Sequence, residues 1–114
     1  MSSLEPSEIK IKELILLFGK KKFDKLLQLS NELLNNFPRS IFLLNIQGVV
    51  HTELKNYKLA KNLFIKVVNI NPKYTDGYYN LANILTKFRC NSNISFNSFE
   101  NLIFLIQLKL FKGS

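Results

Sequence analysis

Residues 41–72, IFLLNIQGVVHTELKNYKLAKNLFIKVVNINP, decide the fold. Apolar residues recur in them at three- and four-residue intervals, which predicts two amphipathic helices: one over about Ser40 to Glu53, the other over about Tyr57 to Asn69. The connection through Lys55 and Asn56 is short, so the two helices should pack antiparallel. Gly48 falls in the middle of the first helix, where glycine costs about 1 kcal/mol relative to alanine, so it needs a packing reason. Ala60 is the matching small residue on the second helix, and Phe64 supplies the bulk beside the close approach. Pro72 closes the unit, because proline cannot continue a helical hydrogen-bond ladder. A shift of 34 residues lays the preceding chain on this unit, with Pro38 matching Pro72 and Phe23 matching Tyr57. A repeated helix pair is therefore the object to interpret.

Upstream, Pro6 suits a helix start, with Ser7 and Glu8 in the first turn of a helix that runs to about Phe18. Ile9, Ile11, Leu14, Ile15, Leu17 and Phe18 give it a broad apolar face; Gly19 stops it and Lys20 to Lys22 form a basic turn. A second helix is expected over about Phe23 to Asn35, ended by Phe37-Pro38, since the residue before proline is pushed out of the helical region. Downstream, Thr75 is a good N-cap with Asp76 in the first turn, for a helix reaching about Phe88. Beyond it the 34-residue register breaks: Asn91, Ile94 and Ser98 stand where an aromatic, a small residue and a second aromatic belong. Phe99, Leu102, Ile103, Ile106 and Leu110 still share one helical face, so a sixth helix is expected. Phe104, Leu105, Leu108 and Phe111 lie outside that face, a surplus of apolar surface that fits self-association, contact with a further domain, or an altered tail.

The chain has 114 residues, enough for one small domain or a short array. Hydrophobic residues make up 46%, which excludes a disordered chain, and only four glycines and three prolines interrupt them. The formal charge of +8 suits an acidic partner, yet 14 of the 16 cations are lysine, as expected of a solvated helix surface. The single cysteine, Cys90, excludes an internal disulfide. No secretory signal precedes the first helix, and the apolar runs 14–18 and 102–106 fall short of the roughly 20 residues a bilayer span requires, so a cytoplasmic protein is expected.

The central unit resembles a tetratricopeptide repeat, carrying Leu44, Gln47-Gly48, His51, Tyr57, Ala60, Phe64, Val67 and Pro72 at that family's slots. The next unit follows with Tyr78, Leu81-Ala82 and Leu85. The first is degenerate, with Leu14 in the small-residue slot, Leu26 for Ala and Ser30 for Phe, but keeps Phe23, Leu33 and Pro38. The resemblance implies an all-α fold: an α-solenoid of antiparallel helix pairs in a right-handed superhelix. It would comprise about two and a half repeats over residues 1–88 (units 7–40, 41–74 and a partial 75–88), followed by the atypical segment 89–114 with its apolar helix. It also implies a concave groove that binds a peptide or partner protein, without catalysis. The family's groove positions on the first helix of each pair fall here on Glu8, Ile11, Ile15 and Phe18, then on Phe42, Asn45, Val49 and Thr52, then on Asp76, Tyr79, Asn83 and Thr86. Phe42, Asn45, Val49, Thr52, Tyr79 and Asn83 are the candidate peptide-binding residues. Ile11, Ile15, Ile46 and Asp76 occupy the places where some relatives clamp a terminal carboxylate with cations and asparagines, so that activity is not expected.

Catalytic constellations are lacking in the sequence. Gly19-Lys20 fails as a phosphate loop, with Leu14 at the leading glycine position and Lys21 where Ser or Thr should hold magnesium. His51 is the lone histidine and sits in a core slot, so neither a zinc site nor a nucleophile–histidine–carboxylate set can be assembled around it. Cys90 has cations nearby in Lys87 and Arg89 but no base or resolving thiol. No cofactor and no metal are expected. The reading is a non-enzymatic interaction module, free-standing or the front part of a larger protein; similar Lys/Asn-rich repeats precede glycosyltransferase or sulfotransferase domains. The alternative is a basic binder of nucleic acid or an anionic surface, which is the less favoured partner class.

Overall fold

The computed structural model describes residues 5–91, which form five helices: α1 (Glu8–Gly19), α2 (Phe23–Asn36), α3 (Ile41–Glu53), α4 (Tyr57–Ile70) and α5 (Thr75–Asn91). No strand occurs among the described residues. The apolar segment 92–114, with the sixth helix and the self-association surface expected there, lies outside them.

Local sequence explains most of the boundaries. Ser7 caps α1 by accepting from the Lys10 N–H at 3.4 Å, and Ser40 caps α3 by accepting from the Leu43 N–H at 3.1 Å. Lys21 and Lys55 adopt the left-handed conformation, with φ of 57° and 64°. They lie 34 residues apart in equivalent three-residue turns, and the turns close with matching bonds. Lys22 N–H reaches Leu17 O at 2.9 Å, and Asn56 N–H reaches His51 O at 2.8 Å. The four-residue connections repeat as well: Ser40 N–H donates to Phe37 O at 3.1 Å and Tyr74 N–H to Asn71 O at 3.0 Å. The 34-residue period is therefore present in backbone geometry as well as in side chains.

Several boundaries differ from the sequence reading. α1 includes Gly19, α2 runs to Asn36 and α4 to Ile70, each one residue further, α3 starts at Ile41 with Ser40 as its cap, and α5 starts at Thr75 itself and continues to Asn91, three residues past Phe88. Nothing in 89–91 opposes the helix: the Asn- and Ser-rich run that breaks the register follows it.

Each helix packs mainly on the next, and α3 also touches α5. Two clusters form the core. Leu14, Leu26, Leu43, Ile46 and Val50 join α1, α2 and α3. Ala60, Phe64, Val68, Tyr78, Leu81, Ile84 and Leu85 join α4 and α5, with Val49 of α3 packed against them. The broad apolar face expected of α1 is only partly used. Leu14 is fully buried, whereas Ile9 is 77% exposed, Ile15 53% and Leu16 60%. The cause is position: α1 ends the described array, α2 is its main neighbour, and one neighbouring helix covers about one stripe of an α-helix.

Gly48 has the reason its position demanded. A Cβ built there would lie 2.5 Å from Phe64 Cε1, so the ring rests directly on the glycine backbone. In the first unit the equivalent pair is reversed, with Leu14 in the glycine position and Ser30 in the phenylalanine position, both fully buried. The bulk has moved from one helix to the other, as volume-conserving exchanges in cores allow. Ser30 leaves room for a polar group. Gln47 Nε2 donates to Ser30 Oγ at 2.8 Å and to Asn31 Oδ1 at 2.7 Å, while Ser30 Oγ donates to Leu27 O at 3.1 Å. One repeat on, Gln47 becomes Leu81 and packs in the Phe64 cluster.

Candidate peptide groove

α1 and α3 are each followed by a tight reversal, so both run in the same direction, and a depression of about 220 Å³ opens between them. Ile15 and Phe18 of α1 line one wall, and Phe42, Asn45, Ile46 and Val49 of α3 line the other. All but Asn45 are apolar. Spacing explains the α3 wall, because residues 42, 45, 46 and 49 recur at the three- and four-residue intervals that place side chains on one helical face. Phe18 is held by Phe23 at the start of α2, with ring centroids 5.8 Å apart.

Three of the six candidate residues, Phe42, Asn45 and Val49, come together here with Ile15 and Phe18. Ile46, which is not among the six candidates, joins them; its position four residues after Phe42 is the signal that places it on this face. Thr52, Tyr79 and Asn83 do not line this depression. The Thr52 hydroxyl donates to Gly48 O at 2.8 Å within its own helix. Tyr79, on α5, is 64% exposed, and Asn83 is exposed on the same helix. Asn45 is tied to α5: its Oδ1 accepts from Asn80 Nδ2 at 2.8 Å, leaving its own amide N–H groups to donate.

The head of α3 is fixed by a residue from before α1. Ser40 Oγ lies 2.7 and 2.8 Å from the two oxygens of Glu5 and donates to that carboxylate, which also accepts from the Phe42 N–H at 3.3 Å. A carboxylate at a helix N-terminus satisfies orphan donors and complements the helix dipole. Because Phe42 is itself a groove residue, the clasp ties the entry to α1 to the wall it faces. Nearby, burial, Asp76 and Glu5 together push the Tyr74 phenol above its ordinary pKa.

His51 is half-buried at the end of α3 and belongs to neither core cluster. Asn56 Nδ2 approaches its Nδ1 at 3.4 Å. Burial lowers its pKa from the usual histidine value. No group of three or more His, Cys, Asp or Glu with metal-binding geometry occurs among the described residues. None of the described helices is long and apolar enough to cross a membrane.

No known protein-family model matches the chain, and a search of curated proteins returns no significant match.

Proposed function

We propose that this chain is a non-catalytic interaction module: an α-solenoid of tetratricopeptide type that binds an extended segment of a partner protein along the face formed by α1, α3 and α5. The observation that carries the reading is the apolar depression between two successive first helices, where Phe42, Asn45 and Val49 meet Ile15 and Phe18 of the preceding unit. Supporting it are the 34-residue identity of the turns, the order of helix contacts and the Gly48–Phe64 contact at the small-residue position. Apolar anchors in a depression with a few polar groups around them fit peptide recognition, in which buried side chains carry most of the energy. Tyr79 and Asn83 extend the surface along α5.

The test is selection of peptides from a random phage-displayed library on the full chain. Selected peptides should bind the parent and lose about tenfold or more in affinity on Ile15→Gln, a change at a site exposed enough to leave the fold intact. Tyr79→Ala should weaken them further. Binding that ignores Ile15 places the interaction elsewhere and removes this reading.

The polyanion alternative draws on the net charge. Against it, the depression has no cation in its lining, and Lys10, Lys12, Arg39, Lys66 and Lys73 lie away from the lysine-rich turns at Lys20 to Lys22 and Lys55.

A further inference from the structure

We propose that the segment seated in the α1–α3 depression places one aromatic or branched aliphatic side chain in it, with aspartate or glutamate beside that anchor, facing the lysine-rich end of the array. The proposal deepens the groove reading above and rests on it.

Size argues for a single anchor. An apolar cavity of about 150 Å³ accommodates benzene. The depression here, at about 220 Å³, therefore holds one ring or branched side chain and not a run of them. Its lining offers no ionic partner, so an anchor that is itself charged would lose hydration without compensation.

Charge complementarity selects what flanks the anchor. The wall residue Phe18 is joined directly to the basic turn: its carbonyl accepts from the Lys21 N–H at 3.0 Å, and the Leu17 carbonyl accepts from the Lys22 N–H at 2.9 Å. These bonds fold Lys20 to Lys22 against the end of α1, beside the depression. Because α1 and α3 run the same way, the turn carrying Lys55 lies at the same end of the array. That end bears exposed Lys20, Lys21, Lys22, Lys25, Lys55 and Lys58 against Asp24 and Glu53. The opposite end bears Arg39 and Lys73 against Glu5, Glu8 and Asp76. The array is therefore polarised along its helices, and the α1 wall of the depression leads, through Phe18, into the positive end. Screening sets the reach: with a Debye length of about 8 Å at physiological salt, an acidic group must lie within roughly two or three extended residues of the anchor. Exposed lysines at a rim act mainly on specificity and association rate, so the acidic preference should vary with salt while the anchor preference should not.

The test uses the same phage selection, at about 0.15 M salt, and reads the composition of the selected peptides. The expected result is an aromatic or branched anchor with Asp or Glu within three residues, weakened about tenfold by the combined Lys20→Glu, Lys22→Glu and Lys25→Glu changes. Lys21 is left alone because of its positive φ. Circular dichroism should show unchanged helicity for the triple variant, since all three sites are exposed. Salt should weaken the parent's binding and strengthen the variant's, because screening relieves the repulsion between the reversed charges and the acidic flank. Peptides that depend on Ile15 but carry neutral or basic flanks would overturn this inference and leave the groove reading standing. Peptides that ignore Ile15 would overturn both. A mixed-sequence single-stranded oligonucleotide that displaces the peptides, needs the lysines and is indifferent to Ile15→Gln would replace the acidic-peptide partner with a polyanion.

Discussion

At Gly48 two opposing effects can be weighed. Alanine would gain about 1 kcal/mol in helix propensity. Its Cβ would also sit 2.5 Å from Phe64 Cε1, against a ring that is 2% exposed. Overpacking of this kind costs about 1–3 kcal/mol, so after the propensity gain is subtracted Gly48→Ala should lower stability by about 1 kcal/mol in urea unfolding. A variant as stable as the parent would show that the ring can move. His51 gives a second prediction. Burial lowers its folded-state pKa below the unfolded value of 6.5, so the unfolded chain takes up the proton first as pH falls. Stability should therefore drop as pH falls from above 6.5 through the lowered folded-state pKa, and then level off for this group. The melting temperature of His51→Gln should lack that component. An identical pH profile for the two proteins would remove His51 as its source.

At the scale of the element, α3 depends on a residue outside its own repeat. Ser40 alone would cap Leu43, but Glu5 orients the Ser40 hydroxyl and supplies an acceptor for the Phe42 N–H. Glu5→Ala should cost about 1–2 kcal/mol, the range of a lost cap or charge-assisted bond. It should also raise amide exchange at Phe42 and Leu43 more than in α4. Unchanged protection at both amides would reduce the clasp to a surface contact. The clasp was not legible in the sequence, because Glu5 and Ser40 are 35 residues apart and nothing in either local pattern pairs them. α3 itself was legible, as its apolar spacing, Ser40 and the break before Pro38 all agree. The reversed Leu14–Ser30 pair was visible only as degeneracy of the first repeat; the structure shows it as a redistribution of volume that admits the Gln47 amide.

Across the whole molecule, packing is uneven. α3 touches α2, α4 and α5, whereas α1 rests chiefly on α2 and leaves Ile9, Ile15 and Leu16 exposed. In an array held together by neighbour contacts, opening should begin at the less-covered end. Hydrogen exchange should show the lowest helical protection in α1 and the highest in α3 and α4. Protection that is uniform from α1 to α4 would mean a single cooperative unit. The same geometry bears on the proposed function: the depression lies beside an element able to open locally, so a peptide selected for it should raise protection in α1.

The helices, their turns and the 34-residue period are legible without coordinates, because they follow from short-range terms: apolar spacing, capping residues, proline breaks and tight connections. So is the face on which Phe42, Asn45 and Val49 lie, since positions on one helical face follow from about 3.6 residues per turn. Which of the nominated residues share a depression, that Ile46 joins them, that Asn45 is tied to Asn80 and that Glu5 holds the head of α3 emerge from the packed fold. Those outcomes depend on how neighbouring helices are offset and which side chains then meet. That offset is set by the summed packing of residues far apart in the chain, and no local pattern encodes it.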